Sequence, residues 1–446
     1  MKISISGARG IYGSDLDLTT VYRLTQNFIS YLISKKKKKK IRFLVAKDSR
    51  DSGTILQKIV VSCLIDYGIH VYDLGICPTP VIFKESRTFD GSIIITASHN
   101  PIEWNGLKFL IDGHGIFDYD LKSLLNSKIK SSGSEIGKLH KFKSTYNYDI
   151  SNLLKNNLKK TISKPNIAID SGGGSASNYA YYLFKFLNYN VSDINCVPGI
   201  FSRDPDPTVD PLYALKFFVK SENIDYGFSY DLDGDRLVVI THNHGKLNSD
   251  ATLLLCICSL IHNFGMKKFV TSIDTSISIH NYLRNHNSSS YYSAVGEANV
   301  VEKMLSINAH GGGEGSSAGF IMPDFNMCRD AILAGILIST LDKKLVNDCL
   351  NLASKYSQIR TKIKTKSTEH SNLIIDKLAD EFKNDSTDFV NLDGIKIILD
   401  ENSWVLFRQS NTEHVLRISM ESTNTDIHSL NKSVIEKVEK VYEKTR

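Results

Sequence analysis

The chain reads as an α/β protein, three similar mixed α/β domains followed by a C-terminal α+β domain. Three observations predict this. Strand and helix patterns alternate from the N-terminus with short turns between them, the mark of helix-covered sheets. The alternation restarts at Asn166 and again near Ala251. After Thr365 it gives way to consecutive strands and one closing helix. A length of 446 residues fits three or four domains of roughly 100–200 residues each. With 41% apolar and 23% charged residues, a full core is possible and disorder is not expected.

The first domain, 1–150, opens on Ser4-Ile5-Ser6-Gly7-Ala8-Arg9-Gly10. An amphipathic period predicts a helix over 19–33, and apolar, β-branched runs predict strands at 41–47, 69–74 and 92–96. Helices at 54–67 and 79–87 separate these strands, so a parallel sheet is expected. The polar segment 129–160 reads as an exit helix and linker. The second domain, 151–250, begins with strand, glycine loop and helix over 166–189 and crosses the proline-rich segment 203–212. It then reaches FSYDLDGDRLVVI at 228–240. The third, 251–362, repeats the scheme from LLLCICSLI (253–261) to the glycine-rich 309–319. The fourth, 363–446, carries antiparallel strands with turns at Asp393-Gly394 and Asp400-Glu401-Asn402, then a helix over 426–444.

Charge and cysteine usage exclude several classes. The net charge is +6, and Lys35–Lys40 alone supplies six positive charges. That run lies between a predicted helix and strand with no interleaved aromatics, so it reads as a solvated connection and no nucleic-acid partner is expected. The N-terminus has no signal-like apolar stretch and no apolar run nears ~18 residues, so no membrane partner is expected either. Cys256 and Cys258 lie in an apolar helical run with no second pair nearby to complete a zinc site. The seven cysteines read as thiols in a reducing, cytoplasmic setting.

Four constellations carry candidate chemistry. The β-branched run 93–96 leads straight into Ser98-His99-Asn100-Pro101, and α/β proteins place their chemistry at such strand ends. From these residues alone Ser98 is either a nucleophile or a turn-capping serine. A Ser-His hydrolase is disfavoured, because adjacent residues rarely set a histidine on its neighbour's hydroxyl and no G-x-S-x-G turn surrounds the pair. Asp231, Asp233 and Asp235, with Gly234 between them, can converge on one hard cation, and oxygen-only ligation suits Mg²⁺. An EF-hand fails there, since Arg236 and His242 occupy the positions its glycine and glutamate need. A dehalogenase-type phosphatase signature is one residue away. The run Gly311–Gly313 lacks the spacing of a dinucleotide fingerprint; a sugar-binding reading, in which flexible backbone brings Glu314 and Ser316 against hydroxyls, is open but is not singled out by the run alone. Arg408, Ser410, Asn411, Thr412 and Arg417 make either a phosphate cradle or a polar turn.

In this order and at these intervals, TASHNP, DLDGDR, the GE-containing loop and R-x-S-N-T-E resemble the α-D-phosphohexomutase family over essentially the whole chain. Lesser elements agree: Ser6-Gly7-Ala8-Arg9-Gly10 resembles its N-terminal arginine turn, Asn105-Gly106-Leu107-Lys108 its NG-x-K element and Asp393-Gly394-Ile395-Lys396 its DG-x-K element. The resemblance implies four domains around a central cleft, the last of them mobile. It implies interconversion of hexose 6-phosphate and hexose 1-phosphate through a phosphoserine at Ser98 and a hexose 1,6-bisphosphate intermediate. Mg²⁺ would be shared by Ser98, Asp231, Asp233 and Asp235. Arg9 and Arg236 would steady the transferring group, His99 and Asn100 would support the loop, and Lys108 would be a general base of depressed pKa. Glu314 and Ser316 would meet the sugar, and Arg408, Ser410, Asn411, Thr412 and Arg417 the distal phosphate. Sugar phosphates are then the expected partners, for a monomer or homodimer.

Within the family the loop Gly313-Glu314-Gly315-Ser316-Ser317 and the stretch Ser293–Val300 are similar to a branch rich in glucosamine-phosphate mutases. Glucosamine phosphate is therefore the expected substrate, with a broad glucose and mannose phosphate specificity as the alternative. A non-catalytic sugar-phosphate-binding protein and the dehalogenase-type phosphatase are more distant alternatives. Ser316 departs from the branch's asparagine. Glu297 stands where other branches carry histidine, and a carboxylate there is expected to favour an amino sugar's ammonium.

Overall fold

A computed structural model describes residues 1–37, 40–127, 135–158, 164–409 and 414–445, which form four sheets. In the first, Arg42–Lys47 pairs in parallel with His70–Ile76 and Gly91–Ile95, and His70–Ile76 with Leu139–Lys141. The other half is antiparallel. Gly91–Ile95 returns as Trp104–Ile111, which pairs with Gly7–Ile11, and that strand pairs with Lys2–Ser4. The expected parallel sheet is therefore corrected to a mixed one. Only residues 96–103 separate the two central strands, enough for a hairpin but short of the dozen or more residues that a parallel crossover needs.

The next two sheets repeat this plan. In the second, Val191–Ile194, Ile167–Asp170 and Tyr226–Tyr230 are parallel, and Leu237–Thr241 returns antiparallel. In the third, Ser289–Ser293, Lys268–Ser272 and Gly311–Glu314 are parallel, and Gly319–Ile321 returns antiparallel. Each motif loop thus lies where a parallel strand turns back on itself.

One expectation about the third sheet is overturned. Gly311–Glu314 is a buried strand and not a flexible loop. Its glycines serve close approach: a Cβ on Gly312 (φ 141°) would stand 1.8 Å from the Val270 carbonyl oxygen, and one on Gly313 (φ 150°) 1.9 Å from that of Gly319. No other residue fits at that spacing.

The fourth sheet is wholly antiparallel, ordered Tyr356–Lys364, Val415–Thr423, Ser403–Gln409, Ile395–Asp400 and Asp388–Asn391. Helices Thr368–Glu381 and Ile427–Lys444 pack on it. Two expected boundaries fall inside elements: residue 150 within the helix Tyr146–Asn157, and residue 362 within Tyr356–Lys364.

Asp17 caps the helix Leu18–Lys36 by accepting from the Thr20 amide at 2.7 Å. The lysine run therefore begins inside a helix. Lys35 pairs with Asp120 at 2.6 Å and Lys36 with Asp112, so these two are ion-paired instead of freely solvated.

Apolar burial joins the first three sheets. One continuous cluster runs from Leu44, Val81 and Phe83 through Ile169 and Phe228 to Leu254 and Leu337. The fourth sheet has a separate core around Ile374, Phe407, Ile418 and Val438. It meets the third through Ile273, Trp404 and Leu406 and through two buried polar groups. Glu421 accepts from the Ser276 hydroxyl (2.5 Å), the Ile277 amide (2.7 Å) and the Trp404 indole (2.6 Å). Lys396 donates to the Ile273 carbonyl at 2.8 Å from between the Trp404 and Tyr292 rings.

Candidate active site

Ser98 is buried and its backbone is left-handed, φ 53°, a strained choice for a residue with a Cβ. The surroundings enforce it. Asp48 accepts from the Thr96 hydroxyl at 2.7 Å, which accepts in turn from the Ser98 amide at 2.8 Å. Arg50, wholly buried, pairs with Asp48 at 2.5 Å and donates to the carbonyls of Ser98 (2.9 Å) and Asn100 (2.5 Å). The result is a serine hydroxyl held at a fixed point.

That hydroxyl lies 3.4 Å from Asp231 Oδ2 and 3.2 Å from His99 Nδ1. The second distance corrects the expectation that His99 would not reach its neighbour, because the left-handed turn at Ser98 brings the ring back. It does not create a hydrolase pair. Arg236 Nη2 stands 3.2 Å from His99 Nε2, and a guanidinium can only donate. The imidazole proton therefore sits on Nδ1, and His99 donates toward Ser98 instead of taking its proton. Burial, helped by Arg236, pushes the His99 pKa down to about 3, so the ring is neutral at physiological pH.

The loop 231–236 leaves the central strand Tyr226–Tyr230 beside Ser98, and its three carboxylates offer ligand oxygens within 4.8 Å of one another. Asp231 meets the Ser98 hydroxyl through Oδ2, and Asp233 and Asp235 each have one oxygen occupied. Asp231 Oδ1 accepts from the Asp235 and Arg236 amides at 3.0 and 3.1 Å. Asp233 Oδ2 accepts from the Thr79 hydroxyl at 2.8 Å, and Asp235 Oδ2 from Arg329 at 2.6 Å. Asp233 Oδ1 and Asp235 Oδ1 are buried without a partner, a costly state unless a cation meets them. Burial and mutual repulsion push the Asp231 and Asp233 pKa values up. On Asp235, Arg329, Lys108 and Arg236 outweigh burial and lower it. The donor set fits a hard divalent cation.

Cations surround this centre. Arg236 is steered by Asp206 at 2.8 Å, from the proline-rich segment. Burial lowers the Arg9 pKa, and Asp233 and Asp235 oppose that shift. Lys108 is buried and bonds Glu297 at 2.9 Å. Burial works against its charge, but Glu297 and Asp235 prevail and its pKa is raised. This corrects the expected depressed lysine base. Glu297 already has protein partners: Lys108 holds its Oε1 and the Arg329 amide its Oε2, at 2.9 and 3.0 Å, so a sugar ammonium would have to share this carboxylate with them. Glu314, buried, accepts from the Gly296 amide at 2.8 Å.

Farther out, a cavity of about 510 Å³ is lined by Ser316, Arg360, Lys362, Arg408 and Arg417, with Asp274. Arg408 and Arg417 stand directly opposite each other on adjacent strands, a repulsive pairing that an anion would relieve. Arg408 also pairs with Asp393 at 2.9 Å. Ser410, Asn411 and Thr412 lie outside the described residues.

Models of the phosphoglucomutase/phosphomannomutase α/β/α domains I, II and III match residues 1–133, 144–245 and 248–359. A probable phosphoglucosamine mutase of Pyrococcus horikoshii is 31% identical over 397 residues, covering 85% of this chain and 86% of its own. The chain belongs to the phosphoglucomutase/phosphomannomutase family. It is accordingly an enzyme, a phosphohexomutase. A phosphoglucomutase/phosphomannomutase of Thermococcus kodakarensis is 30% identical over 94% of both chains. The crystal structure of a family protein from Burkholderia thailandensis superposes with a TM-score of 0.84 at 23% identity, over 99% of this chain and 98% of that one. It shares the fold.

Five side chains that touch the phosphohexomutase centre lay outside the motifs read from the sequence: Asp48, Arg50, Thr79, Asp206 and Arg329. A signal existed for two, since Asp48-Ser49-Arg50 follows the end of a predicted strand. Thr79, Asp206 and Arg329 come from segments far apart in the chain, and only folding brings them together.

Proposed function

We propose that this phosphohexomutase interconverts glucosamine 6-phosphate and glucosamine 1-phosphate, storing one phosphate on Ser98. The observation that carries it is the meeting of a rigidly held serine hydroxyl with three aspartates, two of them keeping an unpartnered oxygen. The substrate rests on relatives named phosphoglucosamine mutase and phosphoglucosamine/phosphogalactosamine mutase, the latter from Sulfurisphaera tokodaii at 28% identity over 94% of this chain. A glucose and mannose phosphate specificity is the second reading, supported by the Thermococcus relative's name.

Asp231, Asp233 and Asp235 would hold Mg²⁺, which neutralises charge on the transferring phosphoryl group when bound. Arg9 and Arg236 complete that neutralisation, while His99 donates its Nδ1 proton toward the oxygen on Ser98. Positioning and charge supply most of the catalysis of phosphoryl transfer. Lys108, protonated while Glu297 holds it, can return a proton to the sugar oxygen, and it accepts one only after that contact breaks. Glu314 and Ser316 bind sugar hydroxyls. Arg408 and Arg417, with Ser410, Asn411 and Thr412, grip the non-reacting phosphate while the bisphosphate reorients.

The four domains we assign follow the four sheets, the last beginning at Tyr356. A cytoplasmic setting is supported by the seven free thiols, and the enzyme would act there as a monomer or homodimer.

Coupled assays with glucosamine, glucose, mannose and N-acetylglucosamine phosphates test the substrate, and peptide mapping of the phosphorylated enzyme tests the nucleophile. Phosphate on Asp231, or tenfold preference for glucose phosphate, would reject the corresponding part.

A further inference from the structure

Arg329 follows the strand Gly319–Ile321 on a turn that its neighbours hold still. The Asp330 amide donates to the Phe320 carbonyl at 2.8 Å. The Asp330 carboxylate caps the helix Ala331–Ser339 through Leu333 at 2.9 Å and accepts from the Tyr146 hydroxyl (2.6 Å) and Asn326 (2.8 Å). The stem of Arg329 crosses Gly319, where any Cβ would stand 2.2 Å from its Cδ. The guanidinium therefore leaves a fixed backbone through a slot kept clear for it.

From there it donates to Asp235 Oδ2 at 2.6 Å and lies 3.4 Å from Glu297 and 3.5 Å from Glu314. Glu297 in turn holds Lys108. The chain Lys108, Glu297, Arg329, Asp235 thus links the first three sheets. Buried ion networks are often structural only. The oxygen pattern distinguishes this one. Arg329 occupies Oδ2 of Asp235 and leaves its Oδ1 buried and bare, just as Thr79 occupies Oδ2 of Asp233 and leaves that Oδ1 bare. A carboxylate held by one oxygen presents the other in one orientation, as outer-shell partners of metal ligands do.

We infer that Arg329 is a positioning residue of the cation site, aiming Asp235 Oδ1 at the ion while Glu297 and Glu314 anchor its other side. This rests on the assignment of the three aspartates as cation ligands. Arg329 touches no reacting atom, and no bond forms or breaks at it.

Calorimetric titration of the dephosphorylated enzyme with Mg²⁺, without sugar, tests the inference directly. Arg329→Met should weaken binding about 10- to 100-fold. Arg329→Lys keeps the charge but loses the fork, and should fall between that variant and the natural chain. In turnover, both variants should recover kcat at raised Mg²⁺ with little change in KM for the sugar phosphate, which a merely structural residue would not show. If Arg329→Met does not fold, the lysine variant carries the test. Equal Mg²⁺ affinity in a folded variant and the natural chain would overturn the role of Arg329. No Mg²⁺ binding by the natural chain would instead overturn the cation assignment beneath it.

Discussion

The first three sheets and the last are held by different forces. Leu44, Phe228 and Leu254 belong to one apolar cluster that spans three sheets, so separating those sheets would expose a shared core. The last sheet keeps its own core and meets the rest through a small apolar cluster around Ile273, Trp404 and Leu406 and through polar contacts that include those of Glu421 and Lys396. The reacting groups belong to the fused part, where sub-ångström placement matters for phosphoryl transfer. The arginines proposed to grip the distal phosphate belong to the lightly attached part, where opening would release product. Hydrogen exchange faster over 356–445 than over the first three sheets is the expected signature of that difference.

Substitutions can sharpen the comparison, beginning with the largest effect. Ser98→Ala should lower isomer interconversion by about three orders of magnitude or more while the melting temperature stays near that of the natural chain. Arg50→Met tests how far the fused part depends on one buried ion pair. It strands Asp48 without its partner and should cost about 3–5 kcal/mol in denaturant unfolding, together with most of the activity.

At the junction itself, burial raises the Asp250 pKa to about 7, with Glu421 adding to it and Arg360 opposing. Its folded pKa exceeds its unfolded one, so the folded state binds the proton more tightly. The associated stability is full below about pH 4 and is lost as pH rises through 7, about 4 kcal/mol in all. Asp250→Asn should remove that decline, as unfolding curves across pH 4–8 would reveal. Arg408→Ala leaves the fused part intact. One charge-assisted contact of roughly 1.5–3 kcal/mol predicts a KM raised about tenfold to a hundredfold, with any loss of stability confined to the last domain, where Asp393 loses its partner. The smallest effect is expected for Glu421→Gln. It weakens the contacts with Ser276, Ile277 and Trp404 by about 1–2 kcal/mol, read as faster proteolysis confined to the last domain.

Much was written locally. Alternating apolar patterns announced three α/β units and an α+β one, because burial on one face imposes a period on any strand or helix. TASHNP and DLDGDR were legible because their chemistry-bearing groups happen to lie within one short segment each. What required the tertiary structure was everything set by contacts between distant segments. The hairpin return after Ile95 made the first sheet mixed, and Gly311–Glu314 became a strand because only glycine fits against Val270 and Gly319. The tautomer of His99 and the charge of Lys108 were decided by Arg236 and Glu297, which lie 137 and 189 residues away in the chain. Arg329 belongs to no motif and acquires a role only where Asp235, Glu297 and Glu314 surround it. Electrostatic energy depends on distance in space and burial, and neither is encoded in the spacing of residues along a chain.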